Sequence, residues 1–193
     1  MKEGLYQFIV GVLDLFLWGG ELAGEENLPQ RGPAVFIANH HEATGPIAVA
    51  CSIPLRMYAW AVADMVDQEK AAAWLKWDFV ERTLHIKPPA SNWVAKRLSK
   101  ITVPFLRSLG CIPVYKGDYD RMVDTLRLSM DVLRQGKFLL VFPEDNMLPA
   151  DPVTGMRPFQ RSFARLGEMY YEETGERLEF YSVAVHPSGY VII

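Results

Sequence analysis

Two adjacent histidines, His40 and His41, close the apolar run of FIANHHEATGPIA, residues 36–48. A histidine that follows a buried strand and precedes a helix stands where a general base is useful. Its imidazole titrates near neutrality and can take the proton of an attacking hydroxyl. Asn39 beside it can fix the loop. The same residues also suit a polar turn or a helix cap, and position alone leaves both readings open. Glu144, after LLVFP, is ambiguous in the same way, because a carboxylate at a helix start is ordinary capping. Lys116, after IPVY, offers a cation and nothing more by itself.

What makes these residues interesting together is the pattern of elements that carries them. AVFIA (34–38), GCIPVY (110–115) and FLLVF (138–142) each read as a short apolar strand, and Asn39-His40, Tyr115-Lys116 and Pro143-Glu144 lie at or just past their ends. LRMYAWAVA (55–63) reads as a further strand and EFYSVAV (179–185) as a last one. Helices are expected between them. Alanine-rich Asp67–Phe79 is one, ended by the break at Pro88-Pro89. A second runs from Ser91 to Leu109, with Val94, Leu98, Ile101, Phe105 and Leu109 as its apolar face, Lys96, Arg97, Lys100 and Arg107 mostly elsewhere, and a kink at Pro104. A third is capped by Asp118 or Asp120, carries Met122, Leu126, Met130 and Leu133, and is closed by Arg134, Gly136 and Lys137. A fourth spans 159–175. Alternating helices and unbroken apolar strands predict an α/β domain whose sheet is covered by helices on both faces. In such sheets ligand sites gather at strand ends.

Composition narrows the classes of function. One domain suits 193 residues, and half of them are hydrophobic, which excludes disorder. Nine basic residues against four acidic ones between Lys76 and Arg121 could face phosphates or form a solvated helix face. Nucleic acid is a poor partner for a chain of net charge -3 with no binding module. Cys51 and Cys111 read as buried free thiols, and four scattered histidines give a metal no ligand spacing. A hydrolase using Ser or Cys finds no G-x-S-x-G elbow. The apolar stretch from about Leu5 to Trp18 falls short of the roughly 20 residues a spanning helix needs. A core helix, an interfacial helix and a packing surface remain open for it. The division expected is an apolar, membrane-associating helix over 1–23 and one domain over 24–193, and the strand-like GYVII at the end leaves room for a longer natural chain.

Taken in order, GEENLPQRGPAVFIANH, LGCIPVYKGD, VFPED and YSVAVHPSG resemble the blocks of the glycerolipid acyltransferase superfamily, whose best-known members are the 1-acylglycerol-3-phosphate acyltransferases. The resemblance covers about Gly24 to the C-terminus. It implies a central, mostly parallel sheet and transfer of a fatty acyl group from acyl-CoA or acyl-carrier protein to a lysophospholipid or another hydroxyl or amine acceptor. The place implied is the cytoplasmic face of a membrane, with no further cofactor and no metal. His40 falls on the family's general base, and Asn39, Lys116, Pro143 and Glu144 fall in its substrate-binding blocks. Two positions depart. The aspartate five residues after the histidine, which orients the imidazole, is Gly45 here, so an orienting carboxylate would have to come from elsewhere, with Glu42 and Asp64 as candidates. The arginine that faces the acceptor phosphate is Met147, for which Arg157 or Arg161 would have to compensate. The alternative is a relative that binds acyl chains or lipids without turnover.

Overall fold

A computed structural model describes the chain apart from residues 2, 16–19, 41–44, 116, 146–147 and 187–189. Its strands are β1 (Glu21–Ala23), β2 (Ala34–Ala38), β3 (Met57–Val62), β4 (Ile112–Val114), β5 (Phe138–Val141), β6 (Glu179–Val185) and β7 (Tyr190–Ile192). Their pairing is mostly parallel, with β1-β7-β6-β2-β5 side by side and β3 beside β4. The helices are α1 (Glu3–Leu13), α2 (Gly45–Ser52), α3 (Ala63–Val66), α4 (Ala71–Leu75), α5 (Ala90–Leu109), α6 (Tyr119–Leu133) and α7 (Arg165–Thr174). The α/β class and the mostly parallel sheet are as expected. Two compact units divide the chain, one of residues 2–58 with 126–193, the other of residues 59–125 with Met1.

In the first unit, β2 is the central strand. It pairs in parallel with β5, Ala34 opposite Phe138 through Ile37 opposite Val141, and with β6, Ala34 opposite Glu179 through Ala38 opposite Val183. A strand flanked on both edges and covered on both faces has no use for polar residues, and Ala34, Val35 and Phe36 are wholly buried. Phe36 stacks on Tyr181 at 5.3 Å between ring centroids and meets Phe138 edge-on at 5.8 Å. The entrances to β2 and β5 lie against each other: a Cβ on Gly32 would overlap the Gly136 carbonyl, so only glycine allows the two backbones this close. Burial on both faces stops at β6, where Phe180, Ser182 and Ala184 are exposed while Val183 and Val185 are buried. Its apolar composition concealed an ordinary alternation of period two.

The N-terminal apolar helix is described over Glu3–Leu13, and its expected continuation to Trp18 lies partly outside the described residues. It packs on α2 through buried Tyr6. Arg56 holds this contact, its guanidinium 5.4 Å from the ring centres of Tyr6 and Tyr58 and 3.2 Å from Glu3 Oε2. Leu5, Phe8 and Val12 stay exposed. No helix among the described residues is long and apolar enough to cross a membrane.

In the second unit, β3 and β4 pair in parallel, Trp60 opposite Ile112. The helix expected over Asp67–Phe79 is shorter: Asp67 Oδ1 accepts the N–H of Glu69 at 2.8 Å and of Lys70 at 3.4 Å, which holds a turn ahead of α4. A π-helical stretch, Lys76–Glu81, follows α4. Helix α5 has the expected length and contains Pro104, but its inward face differs from the one expected. The buried residues are Ser91, Ala95, Ser99 and Val103, and Ile101 is 71% exposed. Spaced four apart, these small residues form a ridge that lets α5 approach the alanines of α4 closely. Val94, Leu98, Phe105 and Leu109 of the expected face are half-buried, so that face flanks the contact and the small residues form its centre. In the loop ahead of α6, Asp118 Oδ1 accepts the Arg121 N–H at 3.1 Å, which selects it over Asp120 as the cap.

Candidate functional site

The parallel registers bring the C-terminal ends of β2, β5 and β6 to one edge of the first unit. Asn39 and His40 leave β2 there, and Phe142, Pro143 and Glu144 leave β5 beside them. Asn39 extends the β2–β6 ladder with its side chain. Its Nδ2 donates to the Val185 carbonyl at 3.0 Å, and its Oδ1 accepts the Val185 N–H at 2.6 Å. An amide imitates a strand backbone in this way because it carries a donor and an acceptor side by side. The loop position expected of Asn39 is therefore met by a two-point bond to a strand 146 residues away.

Glu144 is 6% exposed, and both carboxylate oxygens accept backbone N–H groups. Oε2 accepts that of His40 at 3.1 Å and Oε1 that of Arg157 at 3.2 Å. A buried carboxylate is tolerable when donors replace its water. The same stretch is tied down by its backbone: Asp145 N donates to Pro158 O at 2.9 Å and Gln160 N to Pro143 O at 2.8 Å. Glu144 thus staples the loop carrying His40 to the segment 157–160. Among the described residues no helix begins at this point, and the two N–H groups that Glu144 accepts belong to loop segments rather than to a helix start.

His40 is half-buried, and its ring meets Phe142 edge-to-face, 5.2 Å between centroids at 73°. Phe142 fixes one side of the imidazole and was not singled out from the sequence. Its signal was available, since extending the parallel register by one residue sets 142 opposite 38, next to the histidine loop. Gly45 opens α2 and is buried. A Cβ at this position would lie 3.5 Å from the Asn39 carbonyl oxygen and 3.6 Å from His40 Cα, ordinary van der Waals contact. The position five residues on from the histidine therefore lies against the histidine itself.

The other expected residues are distributed differently. Pro143 is buried. Arg157 is engaged locally, its backbone N–H on Glu144 and its guanidinium donating to the Leu148 carbonyl. Arg161 is exposed just ahead of the short helical turn Ser162–Ala164. Asp64, in the second unit, pairs with Lys70 at 3.6 Å. Glu42 and Lys116, together with His41 and Met147, lie outside the described residues.

Neither cysteine is set up as a nucleophile. Burial pushes the Cys51 thiol up to about 11, helped by the negative charge of Asp14, and burial pushes Cys111 up to about 11 as well. Both are half-buried rather than fully enclosed. At pH 8 a thiol that titrates at about 11 in place of the ordinary value near 9 has about a hundredth of the usual thiolate. Alkylation of the native protein by iodoacetamide at pH 8 should accordingly run about a hundredfold slower than in the urea-unfolded chain, a difference that mass spectrometry of timed samples measures. Equal rates would contradict it. Among the described residues no group of three or more His, Cys, Asp or Glu gathers as metal ligands. Comparison of the chain with family models, with curated proteins and with solved structures finds no significant match in any of the three.

Proposed function

We propose that the protein transfers an acyl group from a thioester to a hydroxyl or amine acceptor at a membrane surface, with His40 as the general base. The observation that carries this reading is a half-buried imidazole at the C-terminal edge of parallel strands, its backbone pinned by Glu144 and its loop pinned by Asn39. A base must be held within hydrogen-bond reach of one proton, and rigid strand ends supply such positioning. In the reaction, His40 takes the acceptor's proton as its oxygen or nitrogen attacks the thioester carbonyl. Collapse of the tetrahedral adduct expels the thiolate, which recovers the proton from the imidazolium. Acyl-CoA and acyl-carrier protein are the donors in view, and a lysophospholipid is the leading acceptor. The family resemblance supports this assignment through the position of His40.

One observation favours a second reading, acyl-chain or lipid binding without turnover: Gly45 provides no carboxylate at the point beside His40 where one would orient the ring. The two readings separate in one assay. Release of free thiol from long-chain acyl-CoA, with a panel of lysolipids, should fall about a hundredfold in His40→Ala, the lower range for losing a general base. Indistinguishable rates, with the fold intact by circular dichroism, would remove His40 from the chemistry. Saturable lysolipid binding without thiol release would then establish the second reading.

A further inference from the structure

We infer that the outward face of α5 docks on an anionic bilayer. This deepens the membrane part of the function proposed above and rests on that part alone, not on acyl transfer. Helix α5 is 20 residues long and contains no Asp or Glu. At 100° per residue, Trp93, Lys96, Arg97, Lys100, Ile101 and Arg107 fall within an arc of about 140°. All six are exposed, Trp93 by 64% and Ile101 by 71%. The helix packs inward with small residues, Ser91, Ala95 and Ser99, and leaves a tryptophan and an isoleucine outside among four cations.

Among the described residues no carboxylate forms a salt bridge with Lys96, Arg97 or Lys100. Arg97 lies over the Trp93 ring, 5.4 Å from its centre, which joins a cation to an apolar plate. Arg107 Nε donates to the Val66 carbonyl at 2.9 Å and interacts with the Asp67 carboxylate, so the net positive charge of the face rests on Lys96, Arg97 and Lys100. Alongside, a groove of about 550 Å³ between α4 and α5 is edged by Lys76, Lys96 and Lys100, with Glu69 the one carboxylate lining it among the described residues. Lys76 is 3.7 Å from Glu81, which also accepts the Ser91 hydroxyl, so Lys96 and Lys100 carry most of the groove's positive charge.

Charge complementarity selects an anionic occupant, and the form of the face selects a surface over a molecule. The outer face of a helix is a convex ridge, which lies along a plane. Interleaved Trp, Ile, Lys and Arg match the headgroup level of a bilayer, where rings sit at the boundary and long cationic chains reach the phosphates. An acidic protein would need a concave partner for this ridge.

The full chain is mixed with vesicles of phosphatidylcholine alone and of phosphatidylcholine with phosphatidylglycerol, then sedimented at low and high salt. Binding should be confined to the anionic vesicles and weaken with salt. At about fivefold per cation near the surface, the combined substitution Lys96→Gln, Arg97→Gln, Lys100→Gln should lower partitioning about a hundredfold. Trp93→Phe, which keeps the fold, should remove most of the vesicle-dependent fluorescence shift. Anionic binding unchanged in the triple variant and lost in Phe8→Ser would overturn the assignment to α5 in favour of α1. A wild-type chain that ignores both vesicles would overturn the membrane reading as well. Capture of an acidic peptide by a chain that ignores vesicles would identify a protein as the occupant and end the lipid proposal.

Discussion

Gly45→Asp is expected to raise thiol release from acyl-CoA, by at most about four orders of magnitude, the amount by which loss of an orienting carboxylate slows a catalytic histidine. The geometry favours this substitution. Gly45 has no left-handed backbone conformation that would resist a side chain, and the space its Cβ would take is bounded by His40 and Asn39 at contact distance. A carboxylate there would begin 3.6 Å from His40 Cα, at the first residue of α2, where the helix dipole favours negative charge by about 0.3–1 kcal/mol. The gain should be in kcat, because an oriented imidazolium matters in the transition state rather than in substrate binding. It should vanish when His40→Ala is added. An unchanged rate in a folded Gly45→Asp protein would mean that more than the carboxylate is missing, and the binding-only reading would then be preferred.

Glu144→Ala is expected to lower stability by about 2–5 kcal/mol, since two part-buried N–H groups, those of His40 and Arg157, lose their acceptor at once. Urea unfolding monitored by circular dichroism measures this loss. Glu144→Gln should cost roughly half as much: its carbonyl still accepts one N–H, while its amide presents a donor to the other. The order wild type, Gln, Ala is the signature of a staple. A urea midpoint unmoved by Glu144→Ala would show that the backbone contacts of Asp145 and Gln160 hold the segment without it. Thiol release should fall in parallel with loop order, and Glu144→Gln should retain more activity than Glu144→Ala. A residue contacting the acceptor directly would break that parallel by changing KM with stability preserved.

Much of the fold was legible because the deciding interactions were local or compositional. AVFIA and EFYSVAV fall on β2 and β6 at both ends, and FLLVF overran β5 by one residue, since a buried parallel strand is an apolar run bounded by polar or turn residues. Helix α6 followed from Asp118 and the Arg134 to Lys137 boundary. Strand β1 was not legible: three residues, Glu21–Ala23, become a strand only by pairing with Tyr190–Ile192. The buried centre of the α5 face was not legible either, because how closely two helices approach depends on both partners, and α4 had been read as part of a longer helix.

At the site, the sequence by itself determined which groups are present: a histidine after one buried strand, a glutamate after another, and a glycine five residues on from that histidine. The tertiary structure decided what they do to one another. It turned Glu144 into the acceptor for His40, 104 residues away, closed Asn39 onto Val185, and set Phe142 against the imidazole. Hydrogen bonds over such separations follow from the register of parallel strands, which depends on how three apolar runs pair, and no local pattern in any one of them encodes that choice.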